Sequence, residues 1–171
     1  MVRVAKFEKV SFEQFRIAMI DCFPELSEVR EEELKETYEA LSMPARSTSG
    51  SAGYDIHSPV PFFLAPGKTI KFPTGIRAKI ESGWFLMCVP RSGIGFKYKA
   101  KLDNTIGVID QDYYYSDNEG QMYVKITNTG EKSMSVGADE RIVQAIFLPY
   151  GITYDDHVET VRNGGFGSTG K

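Results

Sequence analysis

Arg141-Ile142-Val143-Gln144-Ala145-Ile146 interleaves polar and apolar side chains, the pattern of a strand with one face on a core and the other toward water. Working outward from it, comparable short runs rich in Val, Ile, Phe, Tyr and Thr cover residues 69–72, 84–89, 105–109, 123–127 and 142–148. Gly, Pro, Asn and Asp separate them. After residue 44 there is no long helical period and no internal repeat. Many short strands with turn signals at close intervals predict a mainly β fold, a β-barrel or jelly roll.

The front of the chain differs. Residues 1–43 hold six Lys/Arg against ten Asp/Glu, whereas the remainder is nearly balanced. Val2, Val4, Phe7 and Val10 predict a first strand. Ser11-Phe12-Glu13-Gln14 reads as a capping box opening a helix that carries Phe12, Phe15, Met19 and Phe23 and stops at Pro24. A second helix is expected over residues 27–41, with Val29, Leu34, Tyr38 and Leu41 on one face and Pro44 as its stop. Residues 11–43 are thus expected to be a helical hairpin with an acidic outer face.

The totals exclude several classes. A chain of 171 residues, 42% hydrophobic and 25% charged, suits one soluble globular domain. A net charge of −3 offers no basic surplus for nucleic acid, and no apolar run is long enough for a membrane span. The opening residues lack the apolar core of a signal peptide, so a cytoplasmic protein is expected. Cys22 and Cys88 are the only cysteines; with His57 and His157 they form neither a disulfide framework nor a zinc motif.

Singly, the polar segments are unremarkable: Ala52-Gly53-Tyr54-Asp55-Ile56 leads into a strand, Pro90-Arg91-Ser92-Gly93 is a loop by composition, and 104–113 is a strand entering a turn. The end of the chain is more telling. Arg162-Asn163-Gly164-Gly165-Phe166-Gly167-Ser168-Thr169-Gly170 combines free amides, hydroxyls, a guanidinium and one aromatic. These groups suit an anion cradle with a ring to stack on a base, so residues 162–171 are expected to form a mobile lid over a nucleotide. It is not a P-loop, because no Lys-Ser/Thr follows the glycines at the required spacing.

Five segments in order, AGYDI at 52–56, PRSG at 90–93, NTIGVIDQDY at 104–113, RIVQAIF at 141–147 and RNGGFGSTG at 162–170, resemble the five motifs of the trimeric dUTPases. The resemblance covers residues 44–171, with residues 2–10 similar to the family's first strand. It implies a single domain, 1–171, built as a jelly-roll-like barrel with residues 11–43 as an insertion. It also implies hydrolysis of dUTP to dUMP and pyrophosphate with Mg2+, in a homotrimer whose sites are shared between subunits.

Residue by residue, Asp110 resembles the catalytic aspartate that polarises the attacking water, and Asp55 the acid that holds a magnesium-bound water. Arg91, Ser92, Gly93 and Gln144 resemble phosphate contacts. Arg141 fits either that role or a structural salt bridge. Asn104, Gly107 and Ile109 lie in a stretch, 104–113, that resembles the hairpin that reads uracil, and Tyr113 resembles the tyrosine that packs on the deoxyribose. Arg162, Gly167, Ser168 and Thr169 resemble the clamp on the terminal phosphate, with Phe166 over the base. Two features depart from the pattern: Tyr115 stands where many members have glycine, and residues 11–43 are extra, either a decoration or a partner-binding element. A dCTP deaminase or bifunctional relative, and a nucleotide-gated binding protein, are the rival readings.

Overall fold

The computed structural model describes residues 2–160 and Arg162. Among these, eleven strands in four antiparallel sheets dominate, rather than one continuously bonded barrel. The largest sheet orders β2 (Tyr54–His57), β11 (Arg141–Pro149), β6 (Trp84–Pro90) and β8 (Gly107–Ile109). A three-stranded sheet orders β4 (Thr69–Pro73), β9 (Tyr123–Asn128) and β7 (Ala100–Leu102). Two further pairs are β1 (Ala5–Lys9) with β5 (Ile76–Ile80) and β3 (Phe62–Leu64) with β10 (Met134–Val136). The inward positions, Phe72, Leu86, Ile126, Met134, Ile142 and Ala145 among them, form one buried cluster. Alternation along each strand leaves the other face for polar groups.

The strand expected over 105–109 is shorter, Gly107–Ile109, because Thr105 turns at φ 65° and leaves the extended region. Pro90-Arg91-Ser92-Gly93 is not wholly loop: Ser92 begins a short helix, α3 (Ser92–Tyr98).

Two helices precede the sheets' main run, α1 (Phe12–Cys22) and α2 (Glu31–Glu39). Phe15, Ala18 and Met19 of α1 are buried, and Val10, Phe15 and Met19 form a second small core with Phe23, Tyr38 and Leu41 against it. The second helix begins later than expected. Pro24–Glu28 winds as a 3₁₀ turn, and Val29 and Arg30 are extended at ψ 143° and 140°, so helical bonding restarts only at Glu31. Glu31, Glu32 and Glu33 then lie in the first turn, where the helix dipole favours negative charge.

The expected capping box is half made. Ser11 Oγ accepts from the Gln14 amide at 3.1 Å, but the Ser11 amide donates to Glu119 Oε2 at 2.7 Å, not to Gln14. A carboxylate is the stronger acceptor, and Glu119 also takes the Ser11 hydroxyl at 2.6 Å. No helix among the described residues is long and apolar enough to cross a membrane.

Candidate active site

The four-stranded sheet separates two groups of polar residues. Val143 pairs with Ile56, and Gln144 with Asp55. Side chains directly opposite share a face and successive ones alternate. Val143 and Ile56 therefore look into one side of the sheet, Gln144 and Asp55 out of the other.

On the first side lies a cavity of about 530 Å³. Asn104, Gly107, Ile109, Asp110, Tyr113 and Arg162 line it, with Ile56, Cys88 and Val143 behind them, Lys125 from β9, and Thr74 and Met122 from just beyond the ends of β4 and β9. The turn before β8 is tight: the Thr105 amide donates to Leu102 O at 2.8 Å and the Ile106 amide to Asn104 O at 2.6 Å. Gly107 passes so close to β6 that a Cβ there would stand 3.0 Å from the Cβ of Cys88. Burial pushes the Cys88 thiol up to about 12, so it serves as a neutral wall.

Asp110 follows β8 with extended backbone and caps a 3₁₀ turn, Gln111–Tyr115, that carries Tyr113 into the cavity. Of the three consecutive tyrosines, Tyr113 is buried, Tyr114 hydrogen-bonds Glu8 and Tyr115 is exposed. The Asp110 side chain is half-exposed, and its Oδ2 accepts from Arg162 Nη2 at 2.6 Å. Arg162 also reaches Asp112 at 3.1 Å, and its guanidinium carbon lies 5.9 Å from the Tyr113 ring centre. Phe166, Gly167, Ser168 and Thr169 lie outside the described residues.

On the other side, Asp55 is nearly buried between two arginines. Its Oδ1 meets Arg91 Nε at 2.8 Å, and its Oδ2 meets Arg141 Nη1 at 3.3 Å and the Ser47 hydroxyl at 3.0 Å. A bulge between Arg141 and Val143 brings Arg141 opposite His57, and so onto the face of Asp55 and Gln144. Without the extra residue Arg141 would point to the cavity side. Arg141 is thus an ion-pair partner of Asp55 here. Gln144 lies across Gly53, where a Cβ would come within 2.3 Å of its side chain. Ser92 and Gly93 are exposed at the start of α3, next to Arg91.

Sequence reasoning did not single out Asp112, Ser47, Thr74 or Lys125. Asp112 stands inside a quoted motif, two residues from Asp110, and was open to notice; the others join the site only where distant segments of the chain come together. Among the described residues no three His, Cys, Asp or Glu gather to hold a metal by themselves. The chemistry offered is an oxygen acceptor, Asp110, beside an open-mouthed slot on one face, and guanidiniums, an amide and a hydroxyl suited to anions on the other.

Comparison with known proteins gives these two faces a common context. A family model described as dUTPase matches residues 39–170. The deoxyuridine 5'-triphosphate nucleotidohydrolase of Lactococcus lactis is 39% identical over 133 residues, covering 76% of this chain and 89% of that protein. The one from Paraburkholderia xenovorans is 36% identical over 137 residues, covering 75% and 89%. Among solved structures, the dUTPase from Streptococcus mutans superposes with a TM-score of 0.59 at 33% identity, covering 65% of this chain and 88% of that one. The dUTPase of Staphylococcus bacteriophage 80alpha shares the fold at a TM-score of 0.62 and 18% identity, covering 93% of this chain and 98% of that one. The family match takes in the 104–109 turn and the carboxylate of the cavity as well as the arginine-rich face across the sheet, and on this evidence the chain belongs to the dUTPase family.

Proposed function

We propose that the protein hydrolyses dUTP to dUMP and pyrophosphate, limiting uracil in DNA and supplying dUMP for thymidylate synthesis. The observation that carries this reading is the Asp110 carboxylate at the rim of a cavity walled by the 104–109 turn and the Tyr113 ring.

Uracil enters against the turn, where backbone groups and Asn104 meet its Watson–Crick edge. Cytosine presents the reversed donor and acceptor pattern there and leaves buried groups unpaired. The tight turn at Gly107 opposes the methyl of thymine, and Tyr113 fills the space a 2′-hydroxyl would need. Asp110 accepts a hydrogen bond from a water aligned with the α-phosphorus. The water oxygen bonds to that phosphorus as the bond to the bridging oxygen of the β-phosphate breaks, and the water's proton passes to the carboxylate.

Pyrophosphate leaves with its charge balanced by Arg91 and, from the tail, Arg162, and hydrogen-bonded by Gln144, the Ser92 hydroxyl, the Gly93 amide, Gly167, Ser168 and Thr169. Phe166 stacks over the base. Magnesium, when bound to the triphosphate, neutralises charge and fixes the phosphates. The described residues fit that arrangement: Asp55 accepts two hydrogen bonds and pairs with Arg91 at 2.8 Å, which leaves acceptor capacity among the roughly four sites its oxygens offer. That remaining capacity would let Asp55 hold the ion through a bound water.

The two faces must belong to one site, yet in one chain a sheet lies between them. A homotrimer, in which one subunit's cavity faces another's Asp55–Arg91–Gln144 surface, resolves this. On the same reading the sheets form a jelly-roll-like barrel, and residues 11–43 are an insertion before the stretch shared with the family.

The test is pyrophosphate release from dUTP, dTTP, dCTP and UTP with magnesium, alongside sedimentation of the protein. Turnover of dUTP alone, by a trimer, is expected. A trimer that releases ammonia from dCTP, or leaves dUTP intact, would overturn the reading.

A further inference from the structure

The Tyr113 ring is 6% exposed, and its hydroxyl is fixed from both sides. It donates to Gln121 O at 2.7 Å and accepts from Asn118 Nδ2 at 2.8 Å. Asn118 Oδ1 in turn accepts from the Gly120 amide at 3.2 Å. Gly120, at φ 70°, lies flat on the tyrosines: a Cβ there would stand 2.6 Å from Tyr114 Cα and 2.7 Å from Tyr113 O. The turn is therefore a buckle pressed against the backbone that carries Tyr113.

Between Asn118 and Gly120 stands Glu119, itself at φ 56°, a conformation a side-chain-bearing residue holds only against a steric cost. Its carboxylate leaves the cavity region altogether. It takes the Ser11 amide at 2.7 Å and the Ser11 hydroxyl at 2.6 Å, 108 residues away in sequence. Ser11 caps α1, whose Phe15 and Met19 are fully buried. A second tie runs alongside: Tyr114 Oη donates to Glu8 Oε2 at 2.5 Å while the Arg77 guanidinium lies 4.4 Å from the Tyr114 ring centre. Ser11 lies outside the stretch matched by the family model and Glu119 inside it.

We propose that Glu119 is a positioning residue for substrate selection: by anchoring the 118–121 turn to the N-terminus of α1, it holds Tyr113 at the depth that excludes a 2′-hydroxyl. The helical segment is then part of the selectivity apparatus. This rests on the dUTP-hydrolysing reading and on Tyr113 at the sugar.

The experiment measures kcat and KM for dUTP and UTP with wild type, Glu119→Ala, Glu119→Gln, Ser11→Ala and the Ser11→Ala/Glu119→Ala double variant. Glu119→Ala is expected to raise KM for dUTP about threefold to tenfold and to lower the dUTP:UTP preference by a similar factor, with kcat within about twofold. Glu119→Gln keeps an acceptor for the Ser11 amide and should stay near wild type. Ser11→Ala should shift the same ratio less, and the double variant should be no worse than Glu119→Ala alone. A folded Glu119→Ala enzyme with unchanged preference, or a loss confined to thermal stability, overturns the proposal. If Glu119→Ala does not fold, an unchanged preference in Ser11→Ala does so. Wild type inert toward dUTP would instead defeat the underlying functional reading, and shows in the wild-type measurement by itself.

Discussion

Asp110 Oδ2 and Arg162 Nη2 lie 2.6 Å apart, so the carboxylate that faces the cavity is already paired with a cation of its own chain. An Asp110 so engaged offers water fewer acceptor sites, and on the proposed function Arg162 leaves it to meet phosphate.

The first consequence concerns these two residues. Asp110→Asn keeps the size of the side chain and removes its basicity. Steady-state pyrophosphate release should fall by about 10²–10⁴-fold in kcat, while calorimetric binding of dUTP persists. Arg162→Ala should act chiefly on KM. Comparable kcat losses in both variants would show that Arg162 belongs with the water and not with the phosphates.

Asp55 supports a different prediction. Asp55→Ala leaves Arg91 and Arg141 without their shared anion. The two guanidiniums are 32% and 47% exposed and can partly hydrate, so the cost should be about 2 kcal/mol, below the ~3–5 kcal/mol of a fully buried pair. A thermal scan should show a lower midpoint, with KM for dUTP raised because Arg91 is no longer aimed. An unchanged midpoint would mean the arginines hold themselves.

Gly53→Ala asks whether Gln144 needs the bare backbone beneath it. The added methyl would meet the Gln144 side chain at 2.3 Å, within the van der Waals radii, and must displace it. KM for dUTP should rise several-fold, about as far as in Gln144→Ala, and combining the two changes should add little. Additive losses would argue that Gly53 acts by another route.

Acid should loosen the first strand. The hydrogen bond from Tyr114, helped by Lys6, lowers the Glu8 carboxyl from 4.5 to about 2. A depressed carboxylate contributes stability that is complete above 4.5 and is lost as pH falls through about 2. Glu8→Gln should therefore be less stable than wild type at neutral pH, and the gap should close between those values. Denaturant titrations at stepped pH would check it; a constant gap would place the loss in packing instead.

The strands could be read from sequence because alternation is local: 69–72, 84–89 and 142–148 need no partner to declare themselves. Residues whose position depends on distant chain were not legible. The bulge after Arg141 turns that side chain to the opposite face, and nothing in Arg-Ile-Val announces it. The local rule gave Ser11 to Gln14, and a charged acceptor 108 residues away prevailed. Asp110 and Tyr113 were placed by family likeness. What the likeness could not convey was that Arg162 sits on Asp110 in the same chain.

The sheet that stands between the cavity and the Asp55–Arg91–Gln144 face also has a genetic consequence. A chain ruined at Asp110 still presents a sound phosphate surface, and one stripped of Arg91 and Gln144 together still presents a sound cavity. With the proposed trimer, two inactive preparations, mixed and allowed to exchange subunits, should recover activity that neither has alone, and damage on one face of the sheet would be masked by a neighbour damaged only on the other.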